Sequence, residues 1–212
     1  MLRVQTHLFH QWTLIAIRHE AEAWRMRGEA ATADVATPDF AQLMSREFEA
    51  ALVGICAVSF AIDALYSAAK EHIPIPPDLR KTWKDNGTPR HAQIFETLKR
   101  GFDLGEATSR WRESLEWLFD LRNEAVHFEG EPRDVVPHPT GVNVAVEQQH
   151  FSADSTTRAV TFLVELLRIF ASQPNSKLAD LVHWVQSMRP GLEVLADGFR
   201  PDHSADARSP VP

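Results

Sequence analysis

The chain has 212 residues, 44% hydrophobic and 24% charged, with a formal net charge of -7. That composition describes one soluble domain with a sizeable core, and it excludes low-complexity and collagen-like chains. The acidic balance disfavours a protein that wraps duplex DNA through its phosphates.

Gln5 to Arg27 reads as a first helix, because Leu8, Trp12, Ile15, Ala16, His19 and Ala23 recur at helical spacing and Gly28 supplies a stop. The segment MLRVQTHLFHQW lacks the apolar core and small-residue cleavage site of a secretory signal, so a cytoplasmic protein is expected. His7 and His10 are spaced to share a metal on a helix, but no third ligand stands nearby, so no metal is expected. Glu29 to Thr37 lacks an apolar stripe and reads as a loop.

Thr37-Pro38 is an N-cap followed by a proline suited to the first helical position, and it opens a long helix to about His72. Phe48, Leu52, Ile55, Ile62 and Tyr66 form one stripe, and Val53, Ala57, Phe60 and Ala64 another. A helix apolar on most sides is a central helix. Its apolar run from Ala50 to Ile62 is too short to span a bilayer, so no membrane partner is expected. The single cysteine, Cys56, excludes an internal disulfide and reads as a small buried hydrophobe. Asp63 is an acid in an apolar stretch, either at an exposed edge or buried with a base from elsewhere.

The prolines of Ile73 to Pro77 end that helix. After the Asp85-Asn86-Gly87 turn, Thr88-Pro89 opens a short helix to Arg100 with Ile94, Phe95 and Leu98 inward. From Leu79 to Arg112 the chain carries eight bases and four acids, a basic patch in an acidic protein. The patch is a candidate nucleic-acid surface, with Arg110 and Arg112 as candidate RNA contacts; the alternative is a solvated helix face of mixed charge.

A helix from about Glu106 to Phe128 follows. Trp111, Leu115, Leu118, Ala125 and Val126 make its apolar stripe, and Arg122 sits on that stripe. Trp117, Leu121 and Phe128 form a second apolar face, more than one core needs, which predicts a two-fold homodimer. Glu131 to Phe151 holds three prolines and the alternation Val142, Val144, Val146, so it reads as a long loop or a short strand pair. Ser152 caps a helix to about Ser172, and Asn175 or Ser176 caps a last helix through Met188. The expected fold is all-α: a bundle of five to six helices with one long Pro-rich loop or short strand pair. It occupies residues 1–190, and the Pro/Asp/Arg-rich tail 191–212 is expected to be largely disordered.

The string Leu121-Arg122-Asn123-Glu124-Ala125-Val126-His127 resembles the signature of HEPN domains, an arginine four to six residues before a histidine, often with Asn directly after the Arg. A long apolar helix before the motif and another long helix after it are also similar to that family. The resemblance spans roughly Gln5 to Met188, and only the motif is specific. It implies an all-α bundle and a metal-independent endoribonuclease with no cofactor. In that reading Arg122, His127 and Asn123 are catalytic, and the site is completed by dimerisation. It also implies a role in toxin–antitoxin or antiviral systems, with an antitoxin or other protein as partner. The alternative is a noncatalytic, dimeric HEPN-like binding or scaffolding module. Some HEPN toxins carry a modifiable Tyr two residues after the His, and here that position is Glu129.

The residues themselves set a geometric condition. Five helical steps turn through about 500°, which leaves Arg122 and His127 roughly 140° apart on a straight helix. Either the helix bends near Val126 or the two groups meet across two protomers. A third possibility is structural: Arg122 neutralises Asp63, and His127 is a cation at a helix C-terminus.

Overall fold

The Thr37-Pro38 cap sets the layout. In the computed structural model, which describes residues 8–105, 108–127 and 134–199, the Thr37 hydroxyl accepts from the Phe40 amide and starts a helix of 32 residues, α2 (Pro38–Ala69). It is preceded by α1 (Leu8–Ala30) and extended by a 3-10 turn (Lys70–His72). Then follow α3 (Pro77–Asp85), α4 (Arg90–Gly101), α5 (Thr108–Val126), a hairpin of β1 (Val135–Pro137) and β2 (Asn143–Ala145), the short α6 (Val146–His150), α7 (Ala153–Ser172) and α8 (Ala179–Asp197). The fold is all-α with one short strand pair. Val136 faces Val144 across its antiparallel register, and Gly141, at φ +85°, makes the turn.

Helix α2 packs on α1, α5 and α7. As α1 advances, its partner residues on α2 retreat: Trp12 meets Phe60, Ala16 lies beside Gly54, and Arg27 bonds Glu47. The pair is therefore antiparallel, and its middle is made of small residues. This rotates α1 by about one residue from the expected stripe. Phe9, Thr13, Ala16, Glu20 and Ala23 are buried, while Leu8 is 58% exposed. Close backbone approach selects small side chains at the centre of the contact and leaves the larger ones at its margins. Val53 of α2 is exposed for the same reason.

Several expected boundaries differ. Helices α4 and α8 begin at Arg90 and Ala179, without the side-chain caps expected from Thr88 and from Asn175 or Ser176. The proline-rich stretch after His72 contains α3, because Pro77 occupies an N-terminal helical position where its missing N–H costs nothing. Helix α8 runs through Pro190 to Asp197, past the expected edge of the domain. Leu192, Leu195 and Ala196 are buried in the main core, and Arg189 Nε donates to the Ala171 carbonyl at 2.9 Å. Packing there outweighs one lost helical hydrogen bond. The chain thus has seven helices of nine or more residues among the described ones, rather than five or six. The remainder of the tail, from Arg200, lies outside the described residues.

By length and composition Pro38–His72 is apolar enough to cross a membrane, contrary to the reading of its apolar run as too short, but 56% of its most apolar window is buried against the rest of the protein.

A buried charge network pins the hairpin to the bundle. Arg27 donates to Glu47 Oε1 through Nε at 2.9 Å and Nη2 at 2.6 Å, and to Asp154 Oδ2 through Nη1. The Ala153 amide, at the start of α7, also donates to Glu47 Oε1 at 3.2 Å. His138 Nε2 stands 3.6 Å from the same oxygen, while its Nδ1 lies 2.8 Å from the Thr140 hydroxyl. Glu47 and His138 are almost wholly buried. Burial pushes the Glu47 carboxyl up, but His138 and the Arg27 guanidinium outweigh it and hold the carboxyl below its ordinary range.

Two predictions follow from these contacts. A Cβ at Gly54 would lie 2.7 Å from Thr156 Cγ2, and Thr156 is held by its hydroxyl on the Ser152 carbonyl at 2.8 Å. Gly54→Ala should therefore cost about 1–3 kcal/mol in denaturant unfolding. Glu47→Gln should cost about 3 kcal/mol at pH 7, since it leaves Arg27 buried with Asp154 alone. Because the folded Glu47 pKa is depressed, its contribution is complete above the ordinary value of 4.5 and is lost as pH falls through the lower folded value. Unfolding curves between pH 7 and pH 3 should show a smaller acid loss in Glu47→Gln than in wild type.

Candidate nucleic-acid site

Helix α5 carries the Arg-His string. Trp111, Leu115 and Leu118 are buried as their spacing predicts, but Val126 is 57% exposed. Leu121 is buried and Trp117 packs on the core, with the Arg158 guanidinium 3.9 Å from its ring centroid. These two residues of the expected dimer face are thus covered inside the protomer, and the surplus apolar face does not supply an argument for dimerisation. Phe128 and Glu129 lie outside the described residues.

Arg122 is half-buried, and Asn123 is exposed beside it. Both line a cavity of about 430 Å³ bounded by Ser59, Phe60 and Asp63 of α2, His91 of α4, and Phe119 of α5. The Arg122 Nη1 donates to Asn123 Oδ1 at 3.0 Å, and the guanidinium carbon sits 6.0 Å from the Phe60 ring centroid. Burial pushes the nearby Cys56 thiol up, against the opposing charge of Arg122.

Asp63 does not neutralise Arg122. It is 42% exposed and accepts from Arg90 Nε at 2.6 Å. Arg122 makes no ion pair with any other described residue. Its bonded partner among the described residues is the neutral Asn123 amide, with the Phe60 ring face beside it, while the carboxylates Asp63 and Asp120 line the same cavity without pairing with it. The fork is left able to take an external anion.

His127 is placed differently. Its amide donates to the Asn123 carbonyl at 2.8 Å, so helical hydrogen bonding reaches His127, the residue at which the chain bends out of α5. The residue is exposed and does not line the Arg122 cavity. Within one protomer the two groups do not share that cavity. The histidine that does line the cavity is His91, edge-on to Phe119 with ring centroids 6.4 Å apart. The sequence reading missed it, since it lies far from the motif in the chain. Its only signal was the adjacent Thr88-Pro89 pair, although α4 begins at Arg90 with Pro89 at the cap position and no side-chain cap bond.

Arg110 and Arg112 are not brought to this cavity. They precede Arg122 by three turns or nearly so, roughly 15–18 Å along α5. Both are exposed, and Arg110 pairs with Glu165 of α7 at 2.7 Å. Of the two histidines considered for a metal, His7 lies outside the described residues and His10 packs beside Gly191 of α8. Among the described residues no group of three or more His, Cys, Asp or Glu is arranged to hold a metal ion. Comparison with known protein families, curated proteins and solved structures returns no match.

If Arg122 is not a structural counter-ion, removing it strands no acid. Arg122→Ala should shift stability by roughly 1 kcal/mol or less, and adding Asp63→Asn should bring no rescue. Thermal melts of the two variants beside wild type check this.

Proposed function

We propose that the protein is a metal-independent endoribonuclease of the HEPN type, acting at the cleft around Arg122. The observation that carries the reading is a half-buried, cavity-lining arginine with no carboxylate partner among the described residues. A cation left without an ion-pair partner at a cavity wall is free to pair with an anionic ligand. In this reading the Arg122 fork holds the nonbridging oxygens of the scissile phosphate and stabilises the charge that grows on them. Asn123, bonded to that fork, fixes its plane.

The chemistry needs a proton carrier that titrates near neutrality. One imidazole takes the proton from the 2′-hydroxyl, the oxygen attacks phosphorus, and the leaving 5′-oxygen is protonated. The products are a 2′,3′-cyclic phosphate and a 5′-hydroxyl. His127 is the carrier by motif. Because His127 lies outside the Arg122 cavity of its own protomer, in this reading it serves that site across a two-fold dimer, where the partner's His127 faces the cavity. A toxin–antitoxin or antiviral setting, with an antitoxin or other protein as partner, belongs to the same proposal. The second reading is a noncatalytic RNA-binding or scaffolding module, favoured by the exposure of His127 outside the cavity.

The test is incubation with mixed RNA in EDTA, with analysis for cyclic phosphate ends, alongside light scattering. Wild type should cleave as a dimer. Arg122→Ala and His127→Ala should each lower the rate at least ~100-fold, the scale of a general acid–base contribution. Loss in His91→Ala with His127→Ala unaffected would move proton transfer to the cavity histidine and remove the need for a dimer. Binding without cleavage by wild type would favour the module.

A further inference from the structure

A second cavity adjoins the first. It measures about 620 Å³ and lies between the 3-10 turn, α3, the start of α4 and Asp180 of α8. Four cations line it: Lys70, Arg80, Lys84 and Arg90, against the two carboxylates Glu71 and Asp180. They come from three elements. Lys70 opens the 3-10 turn, Arg80 and Lys84 stand one turn apart on one face of α3, and Arg90 opens α4. Part of the basic patch seen in the sequence thus converges on a concave site, joined by Lys70 from just before it.

Of these charges only Arg90 is ion-paired, with Asp63, among the described residues. The Lys70 ammonium lies 5.6 Å and the Arg90 guanidinium 4.4 Å from the centroid of the same Tyr66 ring, whose electron-rich face offsets their repulsion. Lys70, Arg80 and Lys84 form no ion pair with any other described residue. Arg90 uses only its Nε on Asp63, and it lines both this cavity and the Arg122 cavity. Arg90 thus forms a wall common to the two cavities. A concave path of cations a few residues wide fits a single phosphodiester backbone better than a duplex.

Resting on the endoribonuclease reading for its ligand, we propose that the Lys70/Arg80/Lys84/Arg90 cavity binds backbone phosphates of a single-stranded RNA that continues across Arg90 to Arg122. The test uses the full chain in EDTA and a labelled, mixed-sequence 2′-O-methyl RNA, which lacks the attacking hydroxyl and so reports binding alone. Fluorescence anisotropy is measured from 50 to 300 mM salt for wild type and for Arg80→Glu/Lys84→Glu. Both positions are exposed, and circular dichroism serves as the check that the double variant folds. Affinity should fall at least ~10-fold and the log–log salt slope should shrink by about 1.4, the value for two single-strand phosphate contacts. Unchanged affinity and slope would overturn the proposal, even if ordinary RNA is cleaved. So would a nucleoside triphosphate that binds wild type and not the double variant while RNA affinity stays the same. The expected loss together with no cleavage of ordinary RNA would sustain the cavity's role and reject the enzyme reading.

Discussion

The Glu47 carboxylate is the constraint around which the bundle is assembled. A charge with almost no access to water must be met by donors from several directions at once, and here they arrive from α1, the hairpin turn and the first turn of α7. Arg27 can reach it only if α1 and α2 lie antiparallel and close, which the small residues Ala16 and Gly54 permit. The Ala153 amide can reach it only if α7 begins against α2. His138 can reach it only if the Pro-rich connection folds back as a hairpin. One carboxylate thus ties the long loop to the two helices that define the core.

Arg27 and Arg122 show how the same side chain serves two purposes. Arg27 is buried and saturated with carboxylates, so it acts as part of the frame. Arg122 is half-buried, and its bonded partner is a neutral amide. Asp63, the acid the sequence offered for it, is taken by Arg90. That division keeps Arg122 available and places a second cation at the cavity rim. It also links the Arg122 cavity to the basic cavity beyond Tyr66, because Arg90 borders both.

Much of the frame was legible in the chain. Thr37-Pro38 and Ser152 fixed the starts of α2 and α7, since a capping hydroxyl and a pre-set proline φ are local effects that packing does not override. The alternation at Val142 and Val144 announced the strand pair. The stripe Trp111, Leu115, Leu118 placed α5 against the core, and with it the approximate position of Arg122.

Tertiary structure alone decided the rest. The buried face of α1 depends on how closely α2 approaches, a property of two helices that the periodicity of one does not contain. The continuation of α8 through Pro190 depends on apolar contacts made only once α7 is in place. The partner of Asp63 was open in the sequence because ion pairs form between residues brought together by the fold. Arg90 lies 27 positions away, and nothing local distinguishes it from Arg122. For the same reason the sequence determined that an arginine, an asparagine and a histidine share one helical string, while the fold decided which side chains share a cavity. Groups five residues apart on a helix point in different directions, so α5 set Arg122 in one cavity with His91 and left His127 exposed outside it.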